Sequence, residues 1–486
     1  MKNRTAVSCG GRGTGPRLAL LALAVLGLSG CASTAIDDNF TSARHISEQR
    51  LGTDLKWLTT DEARRQAQSE VDALLAQPLS ADDAVRISLV YSPSLQAMLY
   101  EGAANSAAAT QSARLPNPVF AFERLVRNEA GARELEITRT LSISLLDLLL
   151  LPSRLRLAAY QQEATRLGLA SNVVQAATEA RQAWVGAVAA QQSVLYFEQV
   201  KASADASAEL ARRMQSVGNF SKLQRAREQA FSADAVTQLA HGRQAARASR
   251  ERLVRALGLN DAQAAALKLP DRLPDLPAGP MDEATVAQAA MDQRLDVRMA
   301  TSSLAFTARE QGLTRITSFV NGLELGLVDL RETGQARQRG FDVDVPLPIF
   351  DFGDATRSRA QATYMAAVNR TAQLAVDARS QVRENYGAYR TAYDVARHYR
   401  DEIVPLQRLI AEENVLRYNG MLIGVFELLA DARSQITSVV QAIEAQRGFW
   451  LADAALQATL IGKPMASMSM ATDAGAAASS RVNAGH

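Results

Sequence analysis

Side chains able to make or break bonds are few in this chain, and their spacing does not suit it. The four histidines, His45, His241, His398 and His486, are scattered, with no carboxylate or cysteine spacing that would hold a metal. Asp351-Phe352-Gly353 matches a kinase tripeptide. No Gly-rich phosphate loop or His-Arg-Asp accompanies it, so it reads as the start of a helix. No G-x-S-x-G nucleophile turn occurs. Met465, Met468 and Met470 form a short thioether cluster of the soft kind that suits Cu(I), within a Gly/Ala/Ser-rich stretch, 462–486, that reads as a disordered tail. The expectation is a protein with no catalytic residues, no cofactor and no metal site.

One cysteine does point to chemistry. Lys2, Arg4, Arg12 and Arg17 form a basic leader, and Leu18 to Leu28 is an apolar run too short for an ordinary membrane span. The run ends in Leu28-Ser29-Gly30-Cys31, which resembles a bacterial lipobox. That resemblance implies a signal peptide over 1–30, with Cys31 acylated as the first mature residue. Cys9 leaves with the leader, so the mature chain has no disulfide. The competing reading is ordinary signal cleavage near a chance cysteine. No Asp follows Cys31 directly, which by the same resemblance favours the outer membrane.

The 486 residues suffice for two or three domains. Apolar residues make up 47% but aromatics only 5%, which favours close-packed Ala/Leu helices over aromatic cores. A net charge of +2, with no basic run outside the leader, gives no nucleic-acid signal.

The elements that position everything else come in two copies. Gly218, Phe220, Leu223, Ala226 and Arg227 spell a pattern that returns as Gly424, Phe426, Leu429, Ala432 and Arg433. Each copy sits between long Ala/Gln/Arg-rich segments, so each reads as the tip of a helical hairpin in a duplicated chain. Residues 31–80 read as an anchor and extended arm with one helix, and Ser80 as the cap of the next helix. The first repeat, 81–258, begins with a helix kinked at Pro93 and stopped at Leu115-Pro116-Asn117-Pro118. A strand pair over about 118–145 follows, turning at Asn128 to Gly131. Pro152 opens a helix of roughly 65 residues, ~100 Å at 1.5 Å per residue. After a Pro-rich linker, 259–280, the plan restarts over 281–461 at an offset of 200, with strands over about 319–348, a turn at Thr333-Gly334 and a second tip over about 420–426. Leu135, Ile137, Leu141 and Ile143 alternate with Glu136, Thr138 and Thr140; Phe341 and Val343 alternate with Asp342 and Asp344. Each strand therefore has an apolar and a polar face.

The order helix, strand, strand, long helix, tip, helix, written twice, resembles the TolC-like outer-membrane efflux protein family over roughly residues 80–461. The most specific pieces are Leu115-Pro116-Asn117-Pro118, the run Pro346 to Gly353, and Arg417-Tyr418 before Gly420 and Gly424. The fold class so implied is mainly α with a β-barrel portion. Three copies form a homotrimer with one twelve-stranded outer-membrane barrel on a periplasmic helical barrel. The resemblance further implies a lipid-anchored exit duct of a tripartite efflux or type I secretion-like system. Its partners would be outer-membrane lipid, a periplasmic adaptor and an inner-membrane pump. Glu136, Thr138, Glu324, Asp342 and Asp344 would face the lumen. The adaptor contact and gate would fall at Gly218, Phe220, Ser221, Gly420, Gly424, Phe426, Asp431 and Arg433, with an Asp431–Arg433 tip bridge possible and Phe220 and Phe426 alternatively plugging their own hairpins. The gate carboxylates of some relatives fall here on Ala430 and Arg433, which puts an acidic constriction in doubt. The rival class is a lipid-anchored periplasmic adaptor or coiled-coil scaffold.

Overall fold

The computed structural model describes residues 31–129, 132–284, 286, 294–319 and 322–463. The leader, the turn residues 130–131 and the Met465–Met470 cluster lie outside the described residues.

The elements run α1 (Cys31–Leu51), α2 (Asp61–Leu75), α3 (Ala81–Tyr91), α4 (Pro93–Ser112), β1 (Val119–Glu129), β2 (Ala132–Ser144), α5 (Leu145–Ser216), α6 (Lys222–Leu257) and α7 (Asp261–Ala266). They continue with α8 (Leu295–Thr317), β3 (Glu324–Glu332), β4 (Gln338–Asp344), α9 (Asp354–His398), a π-turn (Tyr399–Ile403), α10 (Val404–Asn419) and α11 (Val425–Ile461). The supposed extended arm is instead two helices, α1 and α2. Thr60 caps α2 by accepting the Ala63 amide, with Asp61 and Glu62 in the first turn. Pro152 does not open the long helix. It lies inside α5, which starts at Leu145 and runs 72 residues, with the Ser144 hydroxyl accepting the Asp147 amide. The long helix of the second repeat is interrupted by the π-turn just before Pro405, whose missing N–H breaks the regular ladder.

The chain divides into two units. The first comprises the N-terminal segment to Ser42, Glu101–Arg166 and Ala305–Tyr364. It contains one antiparallel sheet in the order β1-β2-β3-β4, so the two expected strand pairs are a single sheet with β1 and β4 as open edges. Thr333 and Gly334 form the second turn, with Gly334 at φ 82°. A polar knot ties α1 to α4 and α5. Asn39 donates to Ser106 (3.1 Å) and Gln162 (2.9 Å), and Gln162 donates back to the Ser106 carbonyl.

The second unit comprises Ala43–Tyr100, Leu167–Leu304 and Met365 onward. Its first core packs Val71, Leu75, Leu79 and Ile87 against Trp184, Val188, Leu253 and Leu257. Ala177, Ala180 and Ala187 are buried along α5, as close helix approach requires. Its other large core is aromatic, against the compositional expectation: Tyr389, Tyr393 and Phe449 are buried, with Trp450 edge-on to Phe449. These rings carry polar handles that fasten the Pro-rich linker. Tyr393 donates to the Pro277 carbonyl, Trp450 to the Pro274 carbonyl and Tyr386 to the Met281 carbonyl.

The duplication is visible in how each repeat ends. Gly258 (φ 71°) and Gly462 (φ 89°) cap α6 and α11 in the left-handed region. Gly258 lies against Ser92 and Pro93 at the head of α4, and Gly462 against Leu295 and Asp296 at the head of α8.

Candidate functional site

The sheet has two chemically distinct faces. Directly paired residues in antiparallel strands share a face, so the register sorts every side chain. One face carries two all-apolar cross-strand rows: Ile143, Leu325 and Val343, then Phe120, Leu141, Leu327 and Phe341. Phe120, Leu327 and Phe341 are 63%, 60% and 74% exposed, so none of the described residues covers that face. Apolar exposure continues past the strand ends at Leu149, Leu347, Ile349 and Phe350. The opposite face holds the carboxylates Glu123, Glu134, Glu136, Glu324, Glu332, Asp342 and Asp344, with Thr138 and Thr140 among them and Arg127 as its cation. All five residues expected to share a polar face, Glu136, Thr138, Glu324, Asp342 and Asp344, do so. The Asp342 carboxylate lies across Gly326, where a Cβ would collide with it, and its Oδ1 has no hydrogen-bond partner.

The hairpin tips match each other less closely than their sequences suggest. At the first, Asn219 N–H donates to the Met214 carbonyl (2.9 Å) and Gly218 holds φ 84°. Ser221 caps α6 in a capping box with Gln224. At the second, the equivalent bond runs from Leu422 N–H to the Arg417 carbonyl (2.8 Å). There the left-handed residue is Met421 (φ 58°), and Gly424 (φ −82°) is the N-cap of α11. The sequence motif repeats at an offset of 206, whereas the turns repeat at 203, Gly218 to Met421 and Ser221 to Gly424. Gly424, although it matches Gly218 in the repeated motif, is therefore not the left-handed residue of its turn. Gly420 ends α10 at φ −80°, and Phe426 falls in the first turn of α11. Phe220 is 8% exposed against Ala211 and Met214, so it plugs its own hairpin and offers no apolar area to a partner. The side chains exposed at the tips are Val217 (70%), Leu223 (62%), Met421 (93%) and Leu422 (78%). Sequence reasoning passed over Val217, Met421 and Leu422 by following the glycines.

These assignments carry a direct test. A non-glycine residue in the left-handed region costs about 1–2 kcal/mol. Met421→Gly is expected to raise the thermal unfolding midpoint of the protein. Gly424→Ser, which adds a capping hydroxyl where no Cβ clash exists, is expected to be neutral or mildly stabilising.

Arg433 does not bridge to Asp431. It donates to Glu228 Oε1 at 2.8 Å, and its guanidinium lies 4.3 Å from the Phe231 ring centroid. Glu228, on α6, is 1% exposed and accepts a second bond from the Ser207 hydroxyl at 2.6 Å. Asp431 instead accepts from Asn414. The ion pair thus joins the first hairpin to the second close to their tips. Cys31 is the first residue of α1, the helix whose Asn39 enters the polar knot. Among the described residues no helix is long and apolar enough to cross a membrane.

Solved structures of outer-membrane channels have a similar fold. The chain shares its fold with the CmeC outer membrane channel of Campylobacter jejuni, at a TM-score of 0.68 and 14% identity over 82% of this chain and 89% of that one. It is likewise similar to the outer membrane protein VceC of Vibrio cholerae, at 0.65 and 14% over 82% and 98%. The open-state MtrE outer membrane channel of Neisseria gonorrhoeae gives 0.56 and 16% over 78% and 89%. At these identities the likeness is one of fold. No protein-family model matches the chain, and no curated protein matches its sequence.

Proposed function

We propose that this protein is the outer-membrane exit duct of a tripartite efflux or related secretion system. In this reading it is lipid-anchored at Cys31 and does no bond chemistry. The observation that carries it is the two-faced sheet with two open edges. Unpaired strand edges in lipid cost several kcal/mol per backbone group, so four strands cannot span a bilayer alone. Strands β1 and β4 run antiparallel, so β4 of one copy can pair with β1 of the next. Three copies close into twelve strands, an even-numbered barrel with its apolar face to lipid and its carboxylates to water. The helical hairpins continue the duct into the periplasm. The tips meet an adaptor through Val217, Leu223, Met421 and Leu422, and an inner-membrane pump supplies the energy.

The protein is expected to fractionate with the outer membrane as a trimer and to conduct ions in planar bilayers. The acidic face predicts cation preference, and Asp342→Asn with Asp344→Asn is expected to shift the reversal potential toward non-selectivity. A monomeric, non-conducting protein would return the chain to the adaptor or scaffold class.

A further inference from the structure

The apolar face of the sheet changes character partway along its strands. Beyond the row Phe120, Leu141, Leu327 and Phe341 comes a row of Phe122, Arg139, Asp329 and Arg339, and then Arg124, Ile137 and Arg331. Further toward the β1–β2 turn come the apolar pair Val126 and Leu135 and then Arg133 opposite Asn128, on the same face. Rows on one face repeat about every 7 Å along a strand. The first guanidinium row therefore sits about 7 Å beyond the row Phe120, Leu141, Leu327 and Phe341, on the side facing the strand turns.

Among the described residues these cations have almost nothing to pair with. Asp329 is the one carboxylate in the paired rows of this face, and both its oxygens are taken by Arg337 in the β3–β4 connection. Arg124, Arg133, Arg139, Arg331 and Arg339 form no ion pair among the described residues. The carboxylates that could have served them are on the other face. Cross-strand pairs that stabilise a sheet alternate in sign. Asp329 does stand between Arg139 and Arg339, but its oxygens are held by Arg337, and Arg124, Arg133 and Arg331 have no carboxylate opposite them. Sheet stability thus leaves most of the band unexplained, and an anion outside the chain is its complement.

We propose that this arginine band is a docking surface for phosphate-bearing lipid headgroups of the leaflet nearest the strand turns. The inference rests on reading the sheet as part of a membrane barrel. On that reading the apolar rows lie in hydrocarbon and the arginine rows at its margin, where headgroup phosphates lie. Guanidinium forks match phosphate oxygens two at a time, and the fixed strand spacing presents several forks to one charged layer. Each arginine near an anionic membrane surface contributes about a fivefold gain in affinity.

The test uses the full-length detergent-solubilised protein and two vesicle types. Both are phosphatidylcholine, one doped with bisphosphorylated lipid A and the other with its dephosphorylated counterpart. The wild type is expected to incorporate preferentially into the phosphorylated vesicles, with the preference falling as salt rises. Arg139→Gln with Arg339→Gln is expected to reduce it by about 25-fold, and Arg139→Lys with Arg339→Lys to keep part of it. Conductance in pure phosphatidylcholine bilayers is measured on every variant. A conducting wild type without preference, or a conducting glutamine variant with full preference, overturns the lipid proposal alone. A non-conducting wild type overturns the barrel reading and this proposal with it. A change in oligomeric state with preference intact reassigns the arginines to a protein contact and also overturns it.

Discussion

Arg433→Ala is expected to destabilise the tips by about 2–3 kcal/mol, whereas Arg433→Ala combined with Glu228→Gln recovers most of that loss. The asymmetry follows from exposure. Glu228 is 1% exposed in its side chain and Arg433 36%. Removing the arginine strands a buried carboxylate with the Ser207 hydroxyl as its remaining partner. Removing the charge of Glu228 leaves an arginine that reaches water and still stacks on Phe231, so Glu228→Gln alone is expected to cost under about 1 kcal/mol. Thermal unfolding across the double-mutant cycle measures the coupling, and additive losses would mean that the two side chains do not interact. On the channel reading this pair braces one hairpin against the other near the periplasmic opening. Arg433→Ala is then expected to raise single-channel open probability, with wild-type conductance once open. Hydrogen exchange should quicken in Ser207–Phe231 and Asn414–Ser438 and stay unchanged in the sheet.

How far the sequence shows this site depends on what kind of signal each part leaves. The strand faces were legible because period two survives in sequence: Leu135, Ile137 and Leu141 against Glu136, Thr138 and Thr140 name two faces before any register is known. The single sheet was not, since pairing of Leu141 with Leu327 leaves no local trace. The tips were found but misaligned, because glycine serves two purposes. Gly218 is chosen for positive φ, whereas Gly424 occupies an N-cap where Ser, Thr, Asp or Asn would also serve, and Met421 holds the strained position without announcing it. The start of α5 was missed because Pro152 suits a first turn, yet Leu145 to Leu151 extend the helix backward from it. Low overall aromatic content hid the fact that Tyr389, Tyr393, Phe449 and Trp450 gather at one place to hold the linker. The Glu228–Arg433 pair, 205 residues apart, has no spacing that could reveal it.

Gly258→Ala is expected to be the most damaging glycine substitution in the first repeat, costing about 2–5 kcal/mol. Two separable effects add. The left-handed conformation at φ 71° penalises any Cβ by about 1–2 kcal/mol. That Cβ would also stand 2.3 Å from Pro93 Cδ and 3.1 Å from Ser92 Cα, so the head of α4 must move, and such overpacking costs about 1–3 kcal/mol. Gly218→Ala isolates the first effect: its φ is 84° but nothing lies within 4 Å of its Cβ, so the loss should stay near 1–2 kcal/mol. Gly462→Ala should resemble Gly258→Ala, because its Cβ would meet the Leu295 amide nitrogen at 2.6 Å. Unfolding midpoints of the three variants, measured in one detergent, should therefore place Gly258→Ala and Gly462→Ala well below Gly218→Ala. Equal losses at all three would mean that Ser92 and Pro93 give way freely. The helix-end glycines would then not be what locks each repeat's last helix to its own start. If the lock holds, conductance of the Gly218→Ala channel should survive at temperatures where the other two have lost theirs, since the strain at Gly218 is confined to a tip.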